Sequence, residues 1–212
     1  MKGVIFDMDG VLFDTERLYQ NVWQDYANQE GFELKEEMLC QLRGTNGKEM
    51  EDILKVWFPD KDPQNIMDTL FAWSRERLKN EVPIKNGAKE ILDFFTDIKF
   101  KIAIASSADL DMIHNNLKNS KFESYFDVIT SSSEVKEGKP SPDIFLCSAE
   151  RLGLDPEECY VIEDSINGIK AANTAGCKPI MVLDLTQPDQ STKDLCAGVY
   201  SDLWELKKDL KG

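Results

Sequence analysis

The chain has 212 residues, of which 42% are apolar and 30% are charged, and its formal net charge is −14. This length and composition are typical of a globular protein with a full hydrophobic core, and no apolar stretch is long enough to span a bilayer. The negative charge argues against nucleic acid or an anionic membrane surface as a partner.

The cysteines and the N-terminal residues indicate the cellular compartment. Five cysteines are scattered without a paired motif and there is one histidine, which argues against a disulfide framework or a structural zinc site. The first residues lack the basic segment and apolar run of a secretory signal. We therefore expect a cytoplasmic protein with reduced thiols.

Short apolar runs recur along the chain and predict buried strands at residues 4–6, 100–106, 126–130, 160–163 and 179–184. The runs are nearly continuous, as is typical of parallel strands covered on both faces. Helical patterns separate or follow them at residues 87–98, 141–153, 164–176 and 201–212. Ser141 is the expected N-cap of the second of these helices. The alternation predicts an α/β protein with a doubly wound, Rossmann-like parallel sheet between two helical layers.

Residues 15–82 interrupt this alternation. They contain several amphipathic helical patterns and no convincing strand. A crossover between the first two strands is normally much shorter. We therefore predict an inserted small α-helical cap domain at 15–82 and a catalytic core formed by residues 1–14 and 83–212.

Polar residues follow the predicted strands at their C-terminal ends. They are Asp7, Asp9, Ser106, Lys139, Glu163 and Asp164. Open parallel sheets bind ligands at that edge, so these groups should lie in one site. Clustered carboxylates suggest Mg²⁺, while a lysine and a hydroxyl beside them suit a phosphoryl group. The set therefore indicates a phosphoryl-transfer site.

Each of these features, taken alone, also fits a structural role. "DMDG" suits a calcium loop or an Asx turn, Ser106 suits a helix cap, and Lys139 suits an exposed surface position. All of them in order, each at the end of a predicted strand, favour a functional site.

Four segments, "FDMDGVLFDT", "IASS", "GKPSPDIF" and "IEDSINGI", together resemble the four motifs of the haloacid dehalogenase-like hydrolase superfamily. The resemblance covers essentially the whole chain. It extends to the branch with a small helical cap, which includes β-phosphoglucomutase and many sugar-phosphate phosphatases.

The resemblance implies a role for each motif residue. Asp7 would be the nucleophile that forms an aspartyl-phosphate, and Asp9 the acid and base. Ser106 would bind the phosphoryl group and Lys139 would steady it, with Ser107 next to the substrate.

The resemblance also implies a magnesium ion. Asp7, the main-chain carbonyl of Asp9, and Asp164 would hold Mg²⁺, with Glu163 reaching the ion directly or through water.

The segment "CQLRGTNGKEM" resembles the substrate-specificity loop of this cap type. The residues expected to contact substrate there are Arg43, Gly44, Thr45, Asn46 and Lys48. The alternative is a solvated turn between two helices.

The reaction suggested by the resemblance is hydrolysis of a small phosphomonoester, such as a sugar phosphate, by a monomeric enzyme. Dehalogenases and phosphonatases of the superfamily lack an aspartate at the position of Asp9, so the presence of Asp9 favours a phosphate ester as substrate. A β-phosphoglucomutase is the main alternative, weakened because Tyr19 stands where that enzyme has a histidine. A phosphate-accepting receiver-like protein is a second alternative. Receivers carry their phosphoacceptor aspartate after the third strand, and this chain has no aspartate there, in the segment "ITSSSEV".

Overall fold

The computed structural model describes residues 2–42, 45, 47–79 and 82–211. The chain forms two compact units, one made of Met1–Asp14 with Val82–Gly212 and the other of Thr15–Glu81.

The larger unit is built on a parallel sheet, which in the described residues has six strands in the order β3-β2-β1-β4-β5-β6. The strands are β1 (Gly3–Phe6), β2 (Lys101–Ser106), β3 (Val128–Ser131), β4 (Cys159–Glu163), β5 (Lys178–Val182) and β6 (Gly198–Tyr200). The helices of this unit are α5 (Ala88–Asp97), α6 (Leu110–Ser120), α7 (Asp143–Leu152), α8 (Ile166–Thr174), α9 (Gln190–Lys193) and α10 (Leu203–Lys211). This three-layer α/β architecture confirms the fold class predicted from the sequence.

Burial explains the continuous apolar runs. Every residue of β1 is buried, and Ile5 packs in one core cluster with Val161 of β4 and with Ile144 and Phe145 of α7. In the sheet register Phe6 lies beside Ile104 of β2 and Ile162 of β4. The residue after β1, Asp7, therefore emerges between the ends of the two neighbouring strands.

Two local features differ from the sequence-based expectation. The edge strand β6 was not predicted, because it has only three residues and each is half-buried, so it lacks a marked apolar run. The predicted N-cap Ser141 is wrong: Pro142 occupies the cap of α7, and the Ser141 hydroxyl instead donates to Asp143 Oδ1 at 2.9 Å.

The smaller unit is helical in its described residues. Its helices are α1 (Thr15–Glu30), α2 (Glu36–Leu42), α3 (Gly47–Trp57) and α4 (Pro63–Leu78). They bury a core of their own that includes Trp23, Tyr26 and Leu54. In the described part of the whole chain, no helix combines the length and apolar character needed to cross a membrane.

Candidate active site

The turn that follows β1 places two of the predicted acids. The Asp7 N–H donates to the carbonyl of Ile162 at 2.9 Å, which ties this turn to β4. Gly10 has a φ of 79°, and a Cβ atom there would lie 2.3 Å from Asp164 Oδ2. Gly10 thus satisfies two demands, a left-handed turn and close approach of the Asp164 carboxylate. Asp9, which precedes it, is half-buried.

Lys139 is the centre of the site. Its Nζ donates to Asp7 Oδ1, to Glu163 Oε1 at 2.8 Å and to the carbonyl of Ala105 at 3.3 Å. The side chains of Lys139, Asp7 and Glu163 are only 5%, 9% and 1% exposed. The ammonium also lies 5.1 Å from the centre of the Phe145 ring, where the cation–π attraction is favourable. Lys139 is therefore a buried charge with several compensating partners.

The charges in this cluster shift the pKa values of the residues at its centre. Burial raises the pKa of Asp7; Lys139 opposes that shift, and the negative charges of Glu163 and Asp9 add to it, so the net direction is upward. Burial lowers the pKa of Lys139, but the charges of Asp7 and Glu163 outweigh it and the pKa rises. The upward direction for Asp7 comes first from its burial, and the upward direction for Lys139 comes from the two carboxylates that face its ammonium.

The second oxygen of Glu163 is also occupied. Glu163 Oε2 accepts hydrogen bonds from the Ser165 N–H at 2.7 Å and from the Ser165 hydroxyl at 2.9 Å. A Cβ atom at Gly168 would lie 1.7 Å from Glu163 Oε1, so only glycine leaves room for this carboxylate. The start of α8 therefore fixes Glu163 in the position that holds Lys139.

Ser106 ends β2 beside these groups and is fully buried. Its hydroxyl oxygen accepts a hydrogen bond from the Ala108 N–H at 3.1 Å. Asp109 then caps α6 by accepting from the Met112 N–H at 2.8 Å. Ser106, Ser107 and Ala108 thus form a short loop between the strand and the capped helix.

The donor set fits Mg²⁺. The Asp7 and Glu163 carboxylates share the single ammonium of Lys139, and the Asp164 carboxylate lies against the turn at Gly10, so a further cation would balance the charge of these groups. Among the described residues, no three Asp, Glu, His or Cys side chains form a ready metal cluster. Mg²⁺ does not require one, because it is usually bound by one or two carboxylates together with water and substrate phosphate. Asp7, Asp164 and a main-chain carbonyl match that pattern.

Of the residues predicted to contact substrate in the helical insert, only Thr45 and Lys48 lie in the described part of the chain. Arg43, Gly44 and Asn46 lie outside the described residues. The Thr45 hydroxyl donates to the carbonyl of Leu42 at 2.8 Å. Lys48 is 70% exposed and pairs with Asp52 at 2.8 Å. Contact of these residues with substrate stays a prediction.

Sequence reasoning missed the groups that support the site. Phe145, Ser165 and Gly168 touch Lys139 or Glu163, and none was singled out. Gly168 carried a signal, since a glycine in the first turn of a helix points to close approach by another group. Phe145 carried none, because an aromatic residue on an apolar helix face predicts only core packing.

The sequence is similar to known hydrolases over most of its length. The sequence profile described as haloacid dehalogenase-like hydrolase matches residues 4–182. A phosphorylated carbohydrates phosphatase of Thermotoga maritima is 35% identical over 181 residues, which cover 85% of this chain and 84% of that protein. Hexitol phosphatase B of Escherichia coli O157:H7 is 28% identical and is covered to 96%, with 99% of this chain.

A solved structure gives the same result. The crystal structure of a haloacid dehalogenase-family hydrolase from Deinococcus radiodurans R1, with bound phosphate and sodium, superposes with a TM-score of 0.80. It is 28% identical, and the match covers 99% of this chain and 95% of that one. On the profile match and the identity to the T. maritima phosphatase, this chain belongs to the haloacid dehalogenase-like hydrolase family.

Proposed function

We propose that the protein is a Mg²⁺-dependent phosphatase that hydrolyses a small phosphorylated carbohydrate through an aspartyl-phosphate on Asp7. The observation that carries this proposal is the buried contact of Lys139 with both Asp7 and Glu163. The names of the phosphatases from T. maritima and E. coli support the substrate class.

Asp7 is the nucleophile in this proposal. Lys139 lies against Asp7 Oδ1 and stabilises the ionised carboxylate that the attack requires. A bond forms between an Asp7 oxygen and phosphorus as the bond from phosphorus to the ester oxygen breaks. Asp9 gives its proton to the departing alkoxide.

The second half-reaction reverses these roles. Asp9 takes a proton from water, whose oxygen attacks the phosphorus and releases Asp7 and inorganic phosphate. Ser106, the loop of Ser107, and Lys139 hold the phosphoryl oxygens in both halves. Asp7, Asp164 and the Asp9 carbonyl would hold Mg²⁺, which would supply positive charge beside the transferring group.

Glu163 has a supporting role in this scheme. Its two oxygens already accept hydrogen bonds from Lys139 and Ser165, so we propose that it positions Lys139. Glu163 would therefore reach the metal only through a water molecule. The helical insert is the proposed cap, and the monomeric state and cytoplasmic location stay predictions.

The test is phosphate release from a panel of hexose, pentose, hexitol and nucleoside monophosphates, with Mg²⁺ and with a chelator. Wild-type protein should release phosphate only with the metal, and Asp7→Asn should be inactive. Asp111→Asn, which changes an exposed carboxylate in the first turn of α6, is the matched control and should keep its activity. Mass spectrometry of Asp9→Asn, acid-quenched after incubation with p-nitrophenyl phosphate, whose leaving group needs no proton from Asp9, should find one phosphoryl group on the peptide that contains Asp7.

Failure of every ester to release phosphate would overturn the hydrolase proposal. Interconversion of β-glucose 1-phosphate in the presence of a bisphosphate primer, without phosphate release, would favour a mutase instead.

A further inference from the structure

The loop that follows β2 is held from the neighbouring strand β3. Ser131 lies beside Ser106 in the parallel register, and both are fully buried. The Ser131 hydroxyl donates to the carbonyl of Ala108 at 2.6 Å, and the Ser132 hydroxyl donates to the carbonyl of Ser107 at 2.8 Å. Two consecutive hydroxyls thus bind two consecutive carbonyls of the loop.

These contacts set the direction of the loop's amides. The C=O and N–H of one trans peptide unit point in opposite directions within a rigid plane. Fixing the carbonyl of Ser107 therefore fixes the N–H of Ala108, which donates to Ser106 Oγ at 3.1 Å. Fixing the carbonyl of Ala108 likewise fixes the N–H of Asp109.

The Ser131 hydroxyl is itself oriented by its neighbours. Its single hydrogen is directed to Ala108, so the Ser133 hydroxyl, 2.8 Å away, must be the donor in their contact. The Ser133 N–H adds a second hydrogen bond to Ser131 Oγ at 3.2 Å. Ser131 Oγ therefore has its donor and acceptor capacity used.

A charged pair stabilises the base of this turn. The Ser131 N–H donates to Glu134 Oε2 at 2.9 Å, and Arg151 Nη2 donates to Glu134 Oε1 at 2.9 Å. The Arg151 hydrogen bond lowers the pKa of Glu134, which keeps that carboxylate ionised. A continuous set of contacts thus runs from α7 through β3 to the Ser106 loop.

We propose that Ser131 and Ser132 are positioning residues for the reaction: they hold the Ser106–Ala108 loop in the shape that receives the transferring phosphoryl group. They act through the loop and do not touch the substrate. The inference rests on the proposed phosphatase function.

The test compares Ser131→Ala and Ser132→Ala with wild-type protein. Orthovanadate, which imitates the five-coordinate phosphoryl group, is the probe for the loop. We expect each variant to lower kcat and weaken vanadate inhibition by about tenfold, because small misplacements of binding groups are costly in the transition state. KM should change much less. Ser132→Thr keeps the hydroxyl and should restore both values.

Ser148→Ala is the matched control. Its hydroxyl is also buried, but it bonds to Thr130 Oγ1 at 3.0 Å and to the carbonyl of Ile144 at 2.8 Å. This control should keep wild-type kcat and vanadate inhibition. Hydrogen exchange gives a second readout: the amides of residues 107–109 should exchange faster in the Ser131 and Ser132 variants than in Ser148→Ala.

The outcomes separate the two proposals. Wild-type turnover together with unchanged vanadate inhibition and exchange in Ser131→Ala and Ser132→Ala would overturn the positioning role alone. A wild-type protein that neither releases phosphate nor binds vanadate would overturn the phosphatase proposal and this role with it. Equal losses in Ser148→Ala would also count against the role, because they would show a general effect of removing buried hydroxyls.

Discussion

Glu163 Oε1 lies 2.8 Å from Lys139 Nζ, although the two residues are 24 positions apart in sequence. This contact fixes an ammonium beside Asp7, and the Asp7 and Glu163 carboxylates share its charge. The catalytic proposal depends on that shared charge, since it stabilises an ionised Asp7 and later faces the phosphoryl oxygens.

Replacing Lys139 should separate its catalytic and structural effects. Lys139→Met keeps much of the side-chain volume and removes the charge. We expect kcat/KM for the best phosphate ester to fall about 1,000-fold, a typical loss for one electrostatic donor. Asp7 and Glu163 would then repel each other, so the melting temperature should fall and should recover in part when Mg²⁺ is added.

Lys178→Met is the comparison for this variant. Lys178 is an exposed residue of β5, and its ammonium lies 5.5 Å from the centre of the Tyr160 ring. It should leave turnover unchanged. A Lys139→Met protein with wild-type kcat/KM would contradict the placement of Lys139 at the reacting group.

Gly168→Ala gives a second prediction, in which the protein stays folded and its catalytic activity falls. A helical glycine changed to alanine normally stabilises a protein by about 0.5–1 kcal/mol. Here the new Cβ would overlap Glu163 Oε1, so the flexible end of Glu163 must move away from Lys139. We expect Gly168→Ala to remain folded, and kcat/KM to fall about 100-fold, as for a misplacement of roughly 1 Å.

Gly138→Ala tests whether any added methyl group near the site has this effect. A Cβ there would meet no atom within 4 Å, and no positive φ opposes it. Its kcat/KM should equal that of wild-type protein. If the kcat/KM of Gly168→Ala equalled that of Gly138→Ala, the close packing of Gly168 against Glu163 would not matter for turnover.

The architecture of the sheet followed from the sequence because the strands β1 to β5 lie in short, nearly continuous apolar runs. The edge strand β6 consists of three half-buried residues and has no comparable pattern. The proximity of Asp7, Lys139 and Glu163 followed from one general rule, that parallel strands end at the same edge.

The supports of the site could not be predicted in this way. In the sequence, Ser131 and Ser132 indicate only a polar turn, because the carbonyls that they bind are 23 and 25 positions away. Any residue supplies a carbonyl, so no sequence pattern marks such a contact. Ser141 shows the opposite error: a favourable N-cap type before Pro142 was outweighed by its local bond to Asp143.

A third prediction concerns the ion pair of Lys85 and Asp184, whose side chains are 18% and 2% exposed and 2.7 Å apart. Asp184 Oδ2 is buried and has no hydrogen-bond partner among the described residues. Lys85→Met should therefore leave an uncompensated carboxylate and lower the free energy of unfolding by about 3 kcal/mol in urea titrations.

A second substitution tests the cause of that loss. Lys85→Met combined with Asp184→Leu removes both charges and should recover most of the lost stability. Lys89→Met is the control, because Lys89 pairs with Asp93 in an exposed position and such pairs contribute less than about 1 kcal/mol. A double variant as unstable as Lys85→Met would show that packing, and not the buried charge, is responsible.

The last prediction concerns the thiols. Burial raises the pKa of Cys177 from its usual 9.0 to about 12 and that of Cys159 to about 11. The thiolate is the reactive form, so both should resist iodoacetamide in the folded protein, while the exposed Cys40 is alkylated. Peptide mapping after timed labelling measures this order, and labelling in urea should make all three equal.

The raised pKa values of Cys159 and Cys177 also determine how the free energy of unfolding responds to alkaline pH. Above about pH 9 the unfolded thiols lose their protons while the folded ones retain them, so the unfolded state is favoured as pH rises. The two thiols make their full contribution to the free energy of unfolding below about pH 9. That contribution is lost as pH rises through their pKa values in the folded protein, which are about 11 and about 12. Urea midpoints between pH 8 and 10 should therefore fall more steeply for wild-type protein than for Cys159→Ala/Cys177→Ala. Equal slopes would mean that other groups govern the alkaline loss.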